Sequence, residues 1–87
     1  MTTAKNKTSP LTRVAPADIA PECKIFAANF RRARQAAHLS QRDIHKRTGI
    51  AQSYLSAVER CLCNPSLDTL SKLAAAVGKP LYLLLKP

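Results

Sequence analysis

Apolar residues fall in helical rhythm along most of this chain. Phe26, Phe30, Ala33 and Ala37 recur at steps of four, three and four and so share one face, while Arg31, Arg32, Arg34 and Gln35 fall mostly elsewhere. This spacing predicts a first helix from about Pro21 or Cys23 to Ala37. Ser40 then stands where an N-cap belongs, with Asp43 three residues on to hydrogen-bond back and to face the positive end of the helix dipole. A second helix is predicted from Gln41 to about Thr48. Gly49 supplies backbone freedom for a tight turn, and Leu55 and Val58, with Ile50 ahead of them, mark a third helix from about Gln52 to Arg60. Past a loop from Cys61 to Pro65, Ser66 caps a fourth helix whose stripe of Leu67, Leu70, Leu73, Ala74 and Val77 stops at Gly78. The tail from Lys79 to Pro87 is almost wholly apolar and too short for periodicity to separate strand from helix. As a strand, the reading favoured here, it would place Leu81, Leu83 and Leu85 on one face and Tyr82, Leu84 and Lys86 on the other.

The expected architecture is all-α, four to five short helices around one small core, with a short C-terminal strand as a variant. Residues 1–22 carry Pro10, Pro16 and Pro21 and few apolar anchors, and read as a flexible basic arm. Residues 23–87 form the single domain that 87 residues allow, with 79–87 as its dimerisation segment.

Fourteen Lys and Arg against five Asp and Glu give a net charge of +9, which points to a polyanion as partner. No apolar run is long enough to span a bilayer, and no secretory apolar segment follows the basic N-terminus, so the expected compartment is a reducing cytoplasm. Cys61 and Cys63 have no standard ligand spacing to Cys23 or to a histidine, and are expected to be free, without metal or cofactor. Five carboxylates and two histidines form no catalytic constellation, and catalysis is not expected.

Two short helices joined by a tight turn can do a specific job: the first braces across a DNA backbone while the second enters the major groove. The stretch from Ser40 to Glu59 has that form, with Ile44, Ile50, Leu55 and Val58 inward and Gly49 between the helices. Leu-Ser-Gln at 39–41, Thr-Gly-Ile at 48–50, Gln-Ser at 52–53, Val-Glu-Arg at 58–60 and Asn-Pro-Ser-Leu-Asp-Thr-Leu at 64–70 resemble the Cro/C1-type (XRE) family over about Phe26 to Leu85. The resemblance implies a lambda-repressor-like bundle and double-stranded DNA as partner. It implies that Gln41 touches phosphate and pairs with Gln52, which reads adenine, that Ala57 packs on a thymine methyl, and that Arg34 and Glu59 form a buried structural ion pair. A Gln amide can give and accept one hydrogen bond each at the adenine edge, and a Ser can bond several bases, so Gln52 and Ser53 are the leading base readers, followed by Tyr54 and Ser56. Arg42, Arg60 and Asn64 suit phosphate contacts that fix register. Three positions depart from the family. His38 and Cys61 stand where Gly is usual at helix ends, leaving either strain or a different ending, and His45 replaces a common Ala, so it must swing outward or widen the contact between the helices.

An exposed Leu81, Tyr82, Leu83, Leu84 and Leu85 run calls for a partner, and a two-fold homodimer is the commonest solution. The run also resembles the C-terminal strand of antitoxins that pair with HipA-type kinase toxins, so a toxin protein is a second candidate partner. Lys5 and Lys7 resemble part of the DNA-wrapping arm of lambda repressor and would gain affinity by displacing counterions. The reading is a dimeric autoregulatory repressor on a palindromic operator. The alternative is a protein-interaction module that captures a partner through its tail, with DNA binding secondary; polar residues at the start of the third helix favour the former.

Overall fold

The structure, a computed structural model, describes residues 15–87, and the basic arm up to residue 14, with Lys5 and Lys7, lies outside them. Five helices follow a short 3-10 turn at Pro16–Asp18: α1 (Pro21–Ala36), α2 (Gln41–Thr48), α3 (Gln52–Glu59), α4 (Leu67–Ala76) and α5 (Leu81–Leu84). The all-α class holds, and among the described residues there is no strand. The C-terminal strand is therefore corrected to a helix. Leu84 is buried in the core and Leu81 and Leu85 pack against it, a one-sided burial that a helical turn provides and that strict alternation would not.

Phe26 and Phe30 stack at the centre, ring centroids 5.4 Å apart, and Ile44, Leu55 and Leu73 complete the fully buried set. α1 packs on α3 and α5, α2 on α3 and α4, and α4 on α5, so one core is shared by all five helices. Ile50 is half-buried against that core, whereas Leu67, expected on the inward stripe of α4, is 69% exposed.

The domain also begins earlier than residue 23. Ile19 is buried, Pro21 opens α1 at the position where its missing N–H costs nothing, and the N-cap, Ala20, contributes no side-chain bond. Asn64 acts in its place from the loop after α3. Its Oδ1 accepts from the Ala20 amide at 3.1 Å and from the Cys23 thiol at 3.4 Å, and its Nδ2 donates to the Asp18 carbonyl at 2.9 Å. Asn29 does the same at the other end, its Nδ2 donating to the carbonyls of Leu84 at 2.9 Å and Lys86 at 2.8 Å.

Three helices end in the same Schellman arrangement. After α1 the amides of His38 and Leu39 donate back to Gln35 and Arg34; after α3, those of Cys61 and Leu62 to Val58 and Ala57; after α4, those of Gly78 and Lys79 to Ala75 and Ala74. The residue that turns the chain has φ of 58° at His38, 58° at Cys61 and 73° at Gly78. Of the two endings open at His38 and Cys61, the structure takes the strained one. Leu39 and Leu62, next in each motif, pack on the core and hold the strained turn in place.

Candidate nucleic-acid interface

α2 starts on a reciprocal cap. The Asp43 amide donates to Ser40 Oγ at 3.0 Å and the Ser40 amide to Asp43 Oδ2 at 2.8 Å, and these bonds hold the Asp43 carboxyl below its usual pKa. α2 ends at Gly49, whose φ of 79° sends the chain toward α3. Ile44 from α2 and Leu55 and Val58 from α3 are buried, which fixes the two helices against each other. Apolar positions inward leave the start of α3 outward: Gln52 and Ser53 are exposed, and Ala51 ahead of them adds no side-chain cap.

The other candidate base readers sit deeper. Tyr54 is half-buried against the core beside Thr69, and burial raises its phenol pKa. Ser56 is half-buried. Ala57 is 5% exposed and belongs to the core, so its expected packing on a thymine methyl is withdrawn: on α3 it shares the inward side with Val58 and cannot also face a groove.

Among the candidate phosphate contacts, Arg42 and Arg60 are exposed. Gln41 is half-buried, and its Nε2 donates to Glu59 Oε1 at 3.3 Å, a partner the resemblance did not supply. Asn64 is exposed and has both ends of its amide bonded within the protein, a structural role beside the phosphate contact expected of it. Arg34 Nε and Nη2 donate to the two oxygens of Glu59 at 2.7 and 3.0 Å, and Arg34 Nη1 donates to the Leu39 carbonyl at 2.7 Å. With side chains 12% and 4% exposed, the pair joins α1, the turn after it and the end of α3 in one buried fork.

Two contacts had no signal in the local sequence. Arg47 Nη1 donates to the Ala76 carbonyl at 2.9 Å, capping the end of α4 from α2, and His45 swings outward so that its Nδ1 lies 2.8 Å from the Ile50 carbonyl. Both join residues of unrelated local patterns and become visible only once the helices pack. Cys63 is buried, and burial, with the nearby Cys23 and Cys61, pushes its thiol up to about 11, so it is a protonated core residue.

A family model described as helix-turn-helix matches residues 30–84, which contain the braced helix pair and most of its core. The chain belongs to the helix-turn-helix family. This helix-turn-helix chain is 42% identical over 55 residues to the HTH-type transcriptional regulator y4dJ of Sinorhizobium fredii, covering 63% of this chain and 71% of that one. It is 46% identical over 48 residues to an HTH-type transcriptional regulator of Mycobacterium tuberculosis, 55% of this chain but only 34% of the relative. The crystal structure of a hypothetical transcription factor from Neisseria superposes with a TM-score of 0.71 at 33% identity, covering 86% of this helix-turn-helix chain and 83% of that chain. The chain is thus similar to transcription regulators and is a DNA-binding member of their family. Among its described residues no helix is long and apolar enough to cross a membrane.

Proposed function

We propose that this protein is a sequence-specific, autoregulatory repressor that binds a palindromic operator as a dimer. One observation carries the reading: the exposed start of α3 is polar, at Gln52 and Ser53, while the rest of the helix is anchored in the core and by the Arg34–Glu59 pair. A helix so braced can enter a major groove with its first turn forward. Gln52 and Ser53 read bases, with Tyr54 and Ser56 at the margin, and Gln41, Arg42 and Arg60 fix register on phosphates. Lys5 and Lys7 add sequence-independent affinity.

The dimer interface is smaller than the whole tail. Leu84 is used inside the protomer, whereas Tyr82 is 69% and Leu83 39% exposed, and Leu83 borders an open groove lined by Ala33 and Ala36 of α1 and by Ala37 just after it. Tyr82 and Leu83 are the contact proposed between protomers, and half-sites then lie about one helical turn, about 34 Å, apart. The strand likeness that suggested a toxin partner falls with the strand.

Gel-shift binding to the gene's own upstream region against random duplex at about 0.15 M salt tests this directly. A preference of about a thousandfold or more supports the repressor. Equal binding to both overturns it.

A further inference from the structure

We infer that His45 is a positioning residue that sets α3 relative to α2 and thereby controls how sharply the protein discriminates between DNA sequences; this rests on the reading of α3 as the base-reading helix.

Ile50 lies between Gly49 and the N-cap of α3, two residues before Gln52. Both its polar backbone groups are held by side chains from the last turn of α2. Its amide donates to Thr48 Oγ1 at 3.1 Å, and its carbonyl accepts from His45 Nδ1 at 2.8 Å. The Thr48 hydroxyl is itself fixed, donating to the Ile44 carbonyl at 2.8 Å. A carbonyl only accepts, so Nδ1 carries the proton, a condition met by one neutral tautomer and by the imidazolium. The peptides on either side of Ile50 are thus held from α2, and the residual freedom of the turn is small.

The amide hold needs only Thr48, but the carbonyl hold needs a side chain that reaches Ile50, and an Ala at position 45 could not supply it. His45 is exposed, so its bond competes with water and adds little to folding. What it restricts is direction. Hydrogen bonds to a base edge tolerate displacements of only about half an ångström, so a loose turn lowers the advantage of the correct sequence while leaving phosphate affinity in place.

The experiment compares wild type, His45→Ala, His45→Asn and Gln52→Ala on a duplex enriched from a randomised pool by wild type and on an unselected duplex, with thermal melts to show that each variant is folded. Asn places an amide N–H close to where Nδ1 stands and has nothing in place of Nε2. Expected are a fall of about tenfold in the ratio of selected to unselected affinity for His45→Ala, an unchanged slope of affinity with salt, and recovery of most of the ratio in His45→Asn. An unchanged ratio in His45→Ala, a loss shared equally by both duplexes, as a direct phosphate contact would give, or no recovery in His45→Asn overturns the inference. If wild type shows no preference, or Gln52→Ala leaves it intact, the reading of α3 fails first and takes this inference with it.

Discussion

Arg34 grips both carboxylate oxygens of Glu59, so the last residue of α3 is bonded to the late part of α1, 25 positions earlier. Breaking such a buried pair from one side leaves a charge with no partner, at a cost of about 3 to 5 kcal/mol. Arg34→Met and Glu59→Gln should each lower the thermal midpoint by more than about 10 °C. The double variant should lose less than the sum of the two, and a strictly additive cycle would show that the residues act independently.

The strained endings at His38 and Cys61 predict the opposite sign. A left-handed residue with a Cβ costs about 1 to 2 kcal/mol, and glycine gives back about half of that by loosening the unfolded chain. His38→Gly and Cys61→Gly should therefore each stabilise the fold by about 0.5 to 1 kcal/mol, raising the denaturant midpoint at unchanged slope. A lower midpoint would mean that the side chains make contacts outweighing the backbone strain.

Cys63 predicts a dependence on alkaline pH. Its thiol ionises near 9.0 when unfolded and near 11 when folded. The folded state therefore loses stability as pH rises through that window and is unaffected below it. Tyr54, raised by burial, acts in the same direction from 10.0 upward. Urea midpoints of wild type should fall more steeply between pH 9 and 11 than those of Cys63→Ala, and parallel curves would refute the assignment.

Neighbours in the tail separate interface from core. Leu83→Asp should leave the melting curve nearly intact and give monomers by light scattering, because this residue faces outward. Leu84→Ala should cost about 2 to 5 kcal/mol whatever the oligomeric state, because its side chain fills the core. A dimer that survives Leu83→Asp removes α5 from the interface.

Base reading and charge neutralisation should separate in the same way. Gln52→Ala is expected to cost about 1 to 3 kcal/mol on the operator and little on random duplex. Replacing Lys5 and Lys7 by Ala should weaken binding to both and flatten the salt dependence. Equal losses for Gln52→Ala on both duplexes would deny it a reading role.

The helices were legible where periodicity, a cap and a stop agreed. Ser40 with Asp43, Gly49, and Ser66 ahead of the stripe ending at Gly78 mark α2, the turn and α4 within about one residue. The tail was not legible, because five apolar residues satisfy either period and only the core beneath Leu84 decides between them. Ala57 was misplaced for a related reason: family position suggested an outward methyl, while the packing of α3 against its neighbours buries it. Asn64, Asn29 and Arg47 bond to backbone carbonyls or amides 29 to 57 positions away, and no local pattern encodes such partners. The pairing of Arg34 with Glu59 was reachable only through family likeness, since neither residue's spacing names the other.

Fastening each end of the fold by a single asparagine has a dynamic consequence. Asn64 holds the approach to α1 beside the buried Ile19, and Asn29 ties down the carbonyls of Leu84 and Lys86 beside the buried Leu84 side chain, so each end rests on one amide and one apolar anchor. Removing either amide is expected to speed hydrogen exchange at the end it holds before exchange rises around the fully buried Ile44, Leu55 and Leu73. The segment that leads into α1 and the segment proposed for self-association are then expected to open ahead of the helix pair proposed to read DNA.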